Sequence, residues 1–426
     1  MSEEARGIAR EALVDYVGCA IAGSQHPSIA QLYQVLAPAP GPAAVIGHRG
    51  GVDALTAALI NGHSGHALDY DDVHASVRGH TSTVIFPSLL ACAARLSVEG
   101  RRPSARLLLD ASVVGVEIMG RLGLALGPDH YEQGFHATAT LGAIGAAAAC
   151  ARLMGLGEEE AAIAIGLAAT QSSGLRAQFG SDGKPLHAGL AARNGLLSAL
   201  LARTGFQGAK DALDGPNGYL SVFKAGIVGR EGWGRPWQII SPGLLFKAFP
   251  SCTASHGAAV AALALRRELG SVPLAAIETI TATFPPGGDA ALVVRRPETG
   301  SEGRFSAEYV IAIALLRGAL TLPDFDDRPI ADDARALLAK VERRHDTTAP
   351  RLSGDPSTRF IVVTIRTSEG IELSKRFDGL PRADSLDDKF ADLARGSAYA
   401  PDLITLIRTM DTGDDLQTFL DALQPS

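Results

Sequence analysis

The stretch Phe135 to Ala151 constrains the fold more than any other part of the chain. Its centre, Gly142-Ala-Ile-Gly145-Ala-Ala-Ala-Ala149, is built from small side chains that lower helix propensity at each glycine and let helix backbones approach closely. At 17 residues closed by Arg152, it reads as too short and too weakly hydrophobic to span a membrane. It predicts a buried helix in a densely packed helical domain.

Helical stripes extend this reading. Ala12, Leu13, Tyr16, Val17 and Ala20 recur at helix spacing, as do apolar residues around Leu55 to Ile60 and Leu89 to Leu96. Residues 1–246 are therefore expected to form an all-α domain. After Lys247-Ala-Phe-Pro250 the pattern changes: Ile277 to Phe284 alternates like a strand and stops at Pro285-Pro286-Gly287-Gly288. Arg359 to Arg366 and Gly370 to Phe377, joined by Thr367-Ser368-Glu369, read as a β-hairpin. Helices at Ala307 to Gly318 and Asp332 to Arg343 complete an α+β domain over 247–384. From Ser385 the apolar residues Leu386, Phe390, Leu393, Leu403, Ile404 and Ile407 return to helix spacing, so 385–426 is expected to rejoin the helical domain. The fold class is mainly α, a large all-helical domain plus a smaller α+β lid domain.

Composition removes several function classes. With 426 residues and 46% hydrophobic content the chain can bury large cores, which excludes disorder as its main state. A net charge of −7 has the wrong sign for a nucleic-acid partner. Cys19, Cys92, Cys150 and Cys252 form no C-x-x-C pair, so neither a zinc knuckle nor a disulfide framework is suggested and a reducing, cytoplasmic location is expected. The N-terminal segment lacks the basic and apolar regions of a signal peptide, and no membrane partner is expected.

The densest polar cluster is Asn61-Gly-His63-Ser-Gly-His66-Ala-Leu-Asp69-Tyr-Asp71-Asp72-Val-His74, followed by Gly79-His80-Thr81-Ser82. His63 and His66 stand at i, i+3 on a possible helix with carboxylates close by, a pattern that could ligate a metal, yet H-E-x-x-H and other zinc spacings are missing. Acid/base catalysis is the second reading, an imidazole titrating near neutrality beside an orienting aspartate. Helix capping by the aspartates is the third. Further His and Lys residues sit in turn-rich segments: Gly134 to Thr140 with His136, Phe179 to Gly189 with Lys184 and His187, and Phe246 to His256 with Lys247 and Cys252. Lys184 is followed by Pro185, so the P-loop spacing is not met, and neither G-x-G-x-x-G after a strand nor G-x-S-x-G occurs.

NGHSGHALDYDDVH with GHTSTVIFPSLLA, GFHATATLGAIGAAAACARLMGL, FGSDGKPLHAGLAARNGLLSALLARTGFQGAKDALDGPNG, KAFPSCTASHGAAVAALAL and FSAEYVIAIALLRG, in this order, resemble the MmgE/PrpD family over nearly the whole chain. That family includes 2-methylcitrate dehydratase, cis-aconitate decarboxylase and iminodisuccinate epimerase. The resemblance implies a helical domain with an α+β lid, an active site in the cleft between them, a homodimer, and chemistry with neither an organic cofactor nor a required metal. Asp69, His80, His136, Lys184, Lys247 and Tyr309 match residues that the decarboxylase branch uses around its substrate. Val73 stands where that branch has a threonine and Cys252 where it has a histidine important for decarboxylation, and the Asp69-to-His80 spacing is one residue longer. Cis-aconitate decarboxylation is thus disfavoured.

Members of the family bind a small polycarboxylate and exchange a proton at a carbon next to a carboxylate, which requires cations and a base. The resemblance assigns Lys184 and Lys247 to substrate carboxylates, His80 and His136 to acid/base roles, Asp69 to orienting an imidazole and Tyr309 to donating a hydrogen bond or proton. Cys252 is expected to line the pocket, and His256 and His187 to support it. His63, His66 and His74 are expected to be structural. One of Arg295, Arg296 and Arg304 is a candidate for a distal carboxylate. The leading reaction is a 2-methylcitrate dehydratase-like hydro-lyase, tempered by a chain shorter than expected for dedicated members. An epimerase and a non-catalytic polycarboxylate binder are the alternatives.

Overall fold

A computed structural model describes residues 1–226, 232–352, 358–398 and 400–425. Residues 227–231, in the expected helical domain, 353–357, in the expected lid, and 399 and 426, in the expected C-terminal helical stretch, lie outside the described residues. The chain divides into two compact units: Met1–Ala177, Asp182–Phe246 and Ser385–Ser426 in the first, Gln178–Ser181 and Lys247–Asp384 in the second.

The first unit opens with α1 (Glu3–Gly23), whose N-terminus is capped by the Ser2 side chain, and α2 (Pro27–Leu36). It continues with α3 (Ala54–His66), α4 (Ser82–Val98), α5 (Ala105–Glu132), α6 (Ala137–Met154), α7 (Glu158–Ala169), α8 (Gly183–Arg203) and the single turn α9 (Tyr219–Val222). The all-α expectation needs correction. Two short antiparallel ladders stand among these helices: β1 (Pro40–Ala44) with β2 (Gly51–Val52), and β3 (Val73–His74) with β4 (Leu244–Leu245). Their sequences carry no strand period; pairing, across a short connection for β1 and β2 and across about 170 residues for β3 and β4, makes them strands.

The small-residue segment forms α6, and 17 of its residues are buried. It extends to Met154, beyond the expected end, and so has the length and apolarity to cross a bilayer, contrary to the sequence reading. Its surroundings are protein: 94% of the helix is buried in the fold. A Cβ on Gly195 of α8 would stand 2.4 Å from Ala146 Cβ and 2.7 Å from the Ala143 carbonyl oxygen, so α6 and α8 pack nearly backbone to backbone.

The second unit contains α10 (His256–Leu269), β5 (Ile277–Phe284), α11 (Gly300–Gly303), α12 (Ala307–Arg317), α13 (Asp332–Leu338), β6 (Val341–His345), β7 (Phe360–Thr367) and β8 (Glu372–Asp378). Its sheet has the order β6-β5-β7-β8, with β5 parallel to β6 and the other pairs antiparallel. Ile280, Ala282, Phe284, Ile361, Val363 and Ile365 share a core with Ala258, Ala262 and Leu265 of α10 and Ile311 and Leu315 of α12. The expected helix Asp332 to Arg343 ends at Leu338, because Val341–His345 pairs with Ile280–Phe284 and the sheet overrides local propensity. Three helices of the first unit follow: α14 (Leu386–Leu393), α15 (Ala400–Thr409) and α16 (Gly413–Ala422).

Candidate active site

Glycines set the site's frame. A Cβ on Gly62 of α3 would lie 2.9 Å from Gly189 Cα of α8, and one on Gly189 would lie 2.3 Å from the Leu59 carbonyl oxygen. This crossing brings the last turn of α3, with His63 and His66, against the first turns of α8, with Lys184 and His187. Beyond α3 the chain turns through Asp69, held in the left-handed region at φ 49°. Asp72 then caps α4, accepting hydrogen bonds from the Ser82 N–H at 3.2 Å and the Ser82 hydroxyl at 2.8 Å. Gly79 rests on the start of α6, where a Cβ would meet Thr138 Oγ1 at 2.8 Å, and the His80 N–H donates to that oxygen at 3.1 Å. His136 is the N-cap residue of α6, and its N–H donates to the Gly174 carbonyl.

These segments converge on a buried cluster. Lys184 Nζ donates to Asp69 Oδ1 at 2.7 Å. His66 Nδ1 lies 2.9 Å from Asp71 Oδ2, and His80 Nδ1 lies 3.2 Å from the same oxygen. The other ring nitrogen of His80 is 3.5 Å from Asp69 Oδ1. His66 and His80 meet edge to face at 4.4 Å between centroids, His66 stacks on His136 at 5.8 Å, and His136 Nδ1 is 3.1 Å from His187 Nδ1.

Burial fixes the charge states. It lowers His66 to about 3, against the opposing pull of Asp71, so its imidazole is neutral near pH 7 and its Nδ1–H donates to Asp71. Burial would raise Asp71, but the imidazoles of His66 and His80 hold it well below the carboxylate range. His136 lies well below its ordinary value, through burial first and the Lys184 ammonium second. Burial and then Lys184 also lower His187. Asp72, buried near Asp15 and Asp71, rises to about 7.

His66, Asp69, Asp71 and His80 present ligand atoms that all lie within 4.8 Å of one another, a nitrogen and oxygen set suited to a divalent transition metal. The Lys184 ammonium already stands at Asp69 Oδ1 as a cation. A dication sharing that oxygen would meet its repulsion at close range.

Of the residues singled out from sequence, Asp69, His80, His136 and Lys184 meet in this cluster. Tyr309, Lys247, Cys252 and His256 belong to the second unit. There the Tyr309 hydroxyl donates to the Asp324 carbonyl, and burial raises it to about 12. Lys247 is fully buried and forms a β-bridge with Arg382. The Cys252 N–H donates to the Arg304 carbonyl at 2.9 Å, and His256 Nε2 lies 3.1 Å from the Ser251 carbonyl oxygen. Arg304 is buried and donates to the Phe325 carbonyl at 2.6 Å, whereas Arg295 is largely exposed beside Asp289 and Glu308.

His63 and His74 are tied to Ser28 and to the Gln238 carbonyl. His66 differs: it belongs to the cluster, and so does Asp71, which sequence reasoning left out. Asp69, expected to orient an imidazole, lies 3.5 Å from His80 Nε2 and 2.7 Å from Lys184 Nζ, while Asp71 contacts both His66 and His80. The sequence places Asp69 and Asp71 two residues apart after His66, but which carboxylate meets the rings is decided by the left-handed turn at Asp69.

The MmgE/PrpD N-terminal domain matches residues 1–227 and the MmgE/PrpD C-terminal domain residues 249–400. A cis-aconitate decarboxylase-like protein of Aspergillus oryzae is 30% identical over 91% of this chain and 85% of its own length. The cis-aconitate decarboxylase of Mus musculus is 31% identical over 76% of this chain and 66% of its own. The 2-methylcitrate dehydratase of Escherichia coli K12 is 28% identical over 91% and 86%. With both domains matched in sequence order, the chain belongs to the MmgE/PrpD family.

Proposed function

We propose that this protein is a lyase that removes a proton next to a carboxylate of a small di- or tricarboxylic acid, without an organic cofactor, and that it dehydrates a 2-methylcitrate-like hydroxy acid. The observation that carries this reading is the pair of buried imidazoles sharing Asp71 beside the Lys184–Asp69 ion pair and a neutral His136. Neutral His136 can accept the carbon-bound proton. His80, held between two carboxylates, can carry the proton that leaves with the hydroxyl group as water. Lys184, whose ammonium pairs with Asp69, can also stabilise charge on a substrate carboxylate as an enolate develops. Lys247 and Tyr309 are proposed to serve the same acid, with Cys252 and His256 lining its pocket.

Decarboxylation of an unsaturated tricarboxylate is the second reading, supported by the names of relatives at 30–31% identity. Cys252 weighs against it, since a thiol stands where the decarboxylase branch is expected to carry an imidazole.

Proton NMR in D2O with 2-methylcitrate, citrate, cis-aconitate and iminodisuccinate in separate tubes tests the proposal, with His136→Ala alongside. Dehydration, lost in the variant, is expected: the methyl doublet of 2-methylcitrate is replaced by an allylic methyl singlet, and citrate gives a new vinyl proton. New methylene alkene protons with loss of CO2 from cis-aconitate would favour the second reading, and deuterium entering an α-carbon without a new double bond would indicate epimerisation. Four silent tubes would refute the enzyme reading.

A further inference from the structure

The geometry points to Lys389, on the helix that follows the second unit in sequence, as a positioning residue for Asp69 and Asp71. Helix α14 is capped at its start by Ser385, whose hydroxyl accepts the Asp388 N–H at 3.2 Å. It seats on α1 through a glycine: a Cβ on Gly18 would stand 3.1 Å from both the Phe390 ring and Leu393 Cδ1. This contact sends Lys389 inward, where its side chain is 3% exposed.

Three groups receive its ammonium. Asp15 Oδ1, on α1, lies 2.6 Å away, and the Tyr70 carbonyl accepts a hydrogen bond at 2.7 Å across 319 residues of sequence. The Tyr70 ring covers the ammonium with its centroid 4.0 Å from Nζ. Burial opposes the charge, but Asp15, Cys19 and Tyr70 together outweigh it and Lys389 is raised above its ordinary value.

The accepting carbonyl belongs to the residue between the two site aspartates. Asp69 sits at φ 49°, a conformation that non-glycine residues adopt only when surrounding contacts hold it, and Arg78, near the far end of the same loop, sits at φ 55°. A hydrogen bond from a buried cation to the Tyr70 carbonyl fixes the peptide plane joining Tyr70 to Asp71 and restrains the turn at Asp69. Lys389 touches neither the imidazoles nor Lys184 in any of these contacts. It acts through the backbone, keeping the Asp71 carboxylate on His66 and His80 and the Asp69 carboxylate on Lys184.

The test compares wild type with Lys389→Met, which keeps length and volume without the charge, and with Lys389→Arg, which keeps the charge. Phe419→Leu, on α16, serves as a control for general loss of stability in the same unit. Two readouts are taken well below the melting temperatures: kcat and KM on the acid that wild type turns over, and hydrogen–deuterium exchange of peptides covering residues 66–80. Lys389→Met is expected to lower kcat at least about 20-fold with KM changed less than about 3-fold, and to speed exchange of those peptides at least about 5-fold. Lys389→Arg should recover part of both, and Phe419→Leu should keep kcat and local protection even at a similar melting temperature.

A kcat within about 2-fold of wild type in Lys389→Met, or an equal loss in Phe419→Leu, would overturn the assignment. The kinetic arm rests on the proposed function, whereas exchange does not. If wild type turns over none of the acids, that proposal fails, and exchange alone decides this one: unchanged protection at 66–80 refutes it and a local loss supports it. Should Lys389→Met not fold, Asp15→Asn, which removes the ammonium's anionic partner, is measured in its place with the same criteria.

Discussion

Replacing Lys184 with methionine isolates the ion pair at the centre of the cluster. The two side chains are 5% and 4% exposed and their charged atoms lie 2.7 Å apart, so removing the ammonium leaves an ionised carboxylate in a site with little water to compensate it. Breaking a buried pair from one side costs about 3–5 kcal/mol. Asp69→Asn should cost a similar amount by stranding the ammonium. Lys184→Met with Asp69→Asn removes both charges and should be more stable than the sum of the single losses implies, with a coupling of about 2–3 kcal/mol. Equilibrium urea unfolding of the four proteins, followed by circular dichroism with the slopes compared, measures the cycle. A cost below about 1 kcal/mol for Lys184→Met, or a coupling below about 0.5 kcal/mol, would show that water screens the pair and that the low-dielectric reading of the site is wrong.

Buried neutral histidines make the fold acid-sensitive. His63 and His66 lie at about 3, His74 and His130 at about 4, and His136 well below its ordinary value, all chiefly through burial. Their folded values lie below the unfolded value of about 6.5, so the unfolded chain binds the extra protons and stability falls as pH drops from about 6.5 toward 4. Asp72, at about 7, opposes this by holding one proton in the folded state. At pH 5 these histidines outweigh Asp72, and His48 and His187, also lowered by burial, act in the same direction. Several protons are taken up on unfolding, and a urea midpoint that stays flat between pH 6.5 and 5 would contradict it. Asp71→Asn should lower kcat about 100-fold or more while leaving KM within a few-fold, because it removes the anion shared by two imidazoles; steady-state kinetics would expose an effect confined to KM. Prolonged dialysis against EDTA should leave turnover unchanged, and a loss restored by Zn2+ or Mn2+ would mean that a dication does enter beside Lys184.

What the sequence revealed follows the range of the interactions involved. The small-residue run of α6, the alternation of β5 and the hairpin of β7 and β8 are written in residues adjacent along the chain, and each was found within a few positions of its bounds. Strand β6 was read as the end of a helix because its identity comes from parallel pairing with β5, across a connection holding three helices. The site divides in the same way. His66 and Asp71 are five residues apart, yet their contact depends on the left-handed turn at Asp69, which nothing in the local pattern announces. Lys389 was invisible for a stronger reason: its partners Asp15 and Tyr70 lie near the other end of the chain, and on a short amphipathic helix a lysine ordinarily reads as a solvated residue.

The cluster's charge states bear on how the proposed chemistry would be timed. With His66 and His136 neutral, Asp69 is balanced by Lys184, while Asp71 is held by the imidazoles of His66 and His80. His136 is a weak base in this resting state partly because the Lys184 ammonium disfavours its protonation. A substrate carboxylate that pairs with Lys184 would cancel that field and add a negative charge of its own, and both effects raise the proton affinity of His136. The base would then strengthen when the acid to be deprotonated arrives, and the same ammonium would remain to stabilise the enolate that forms. Loss of Lys184 would by itself strengthen His136 at rest, so weaker proton abstraction in its absence would report the lost stabilisation of the enolate, and weaker substrate binding the lost partner of the carboxylate.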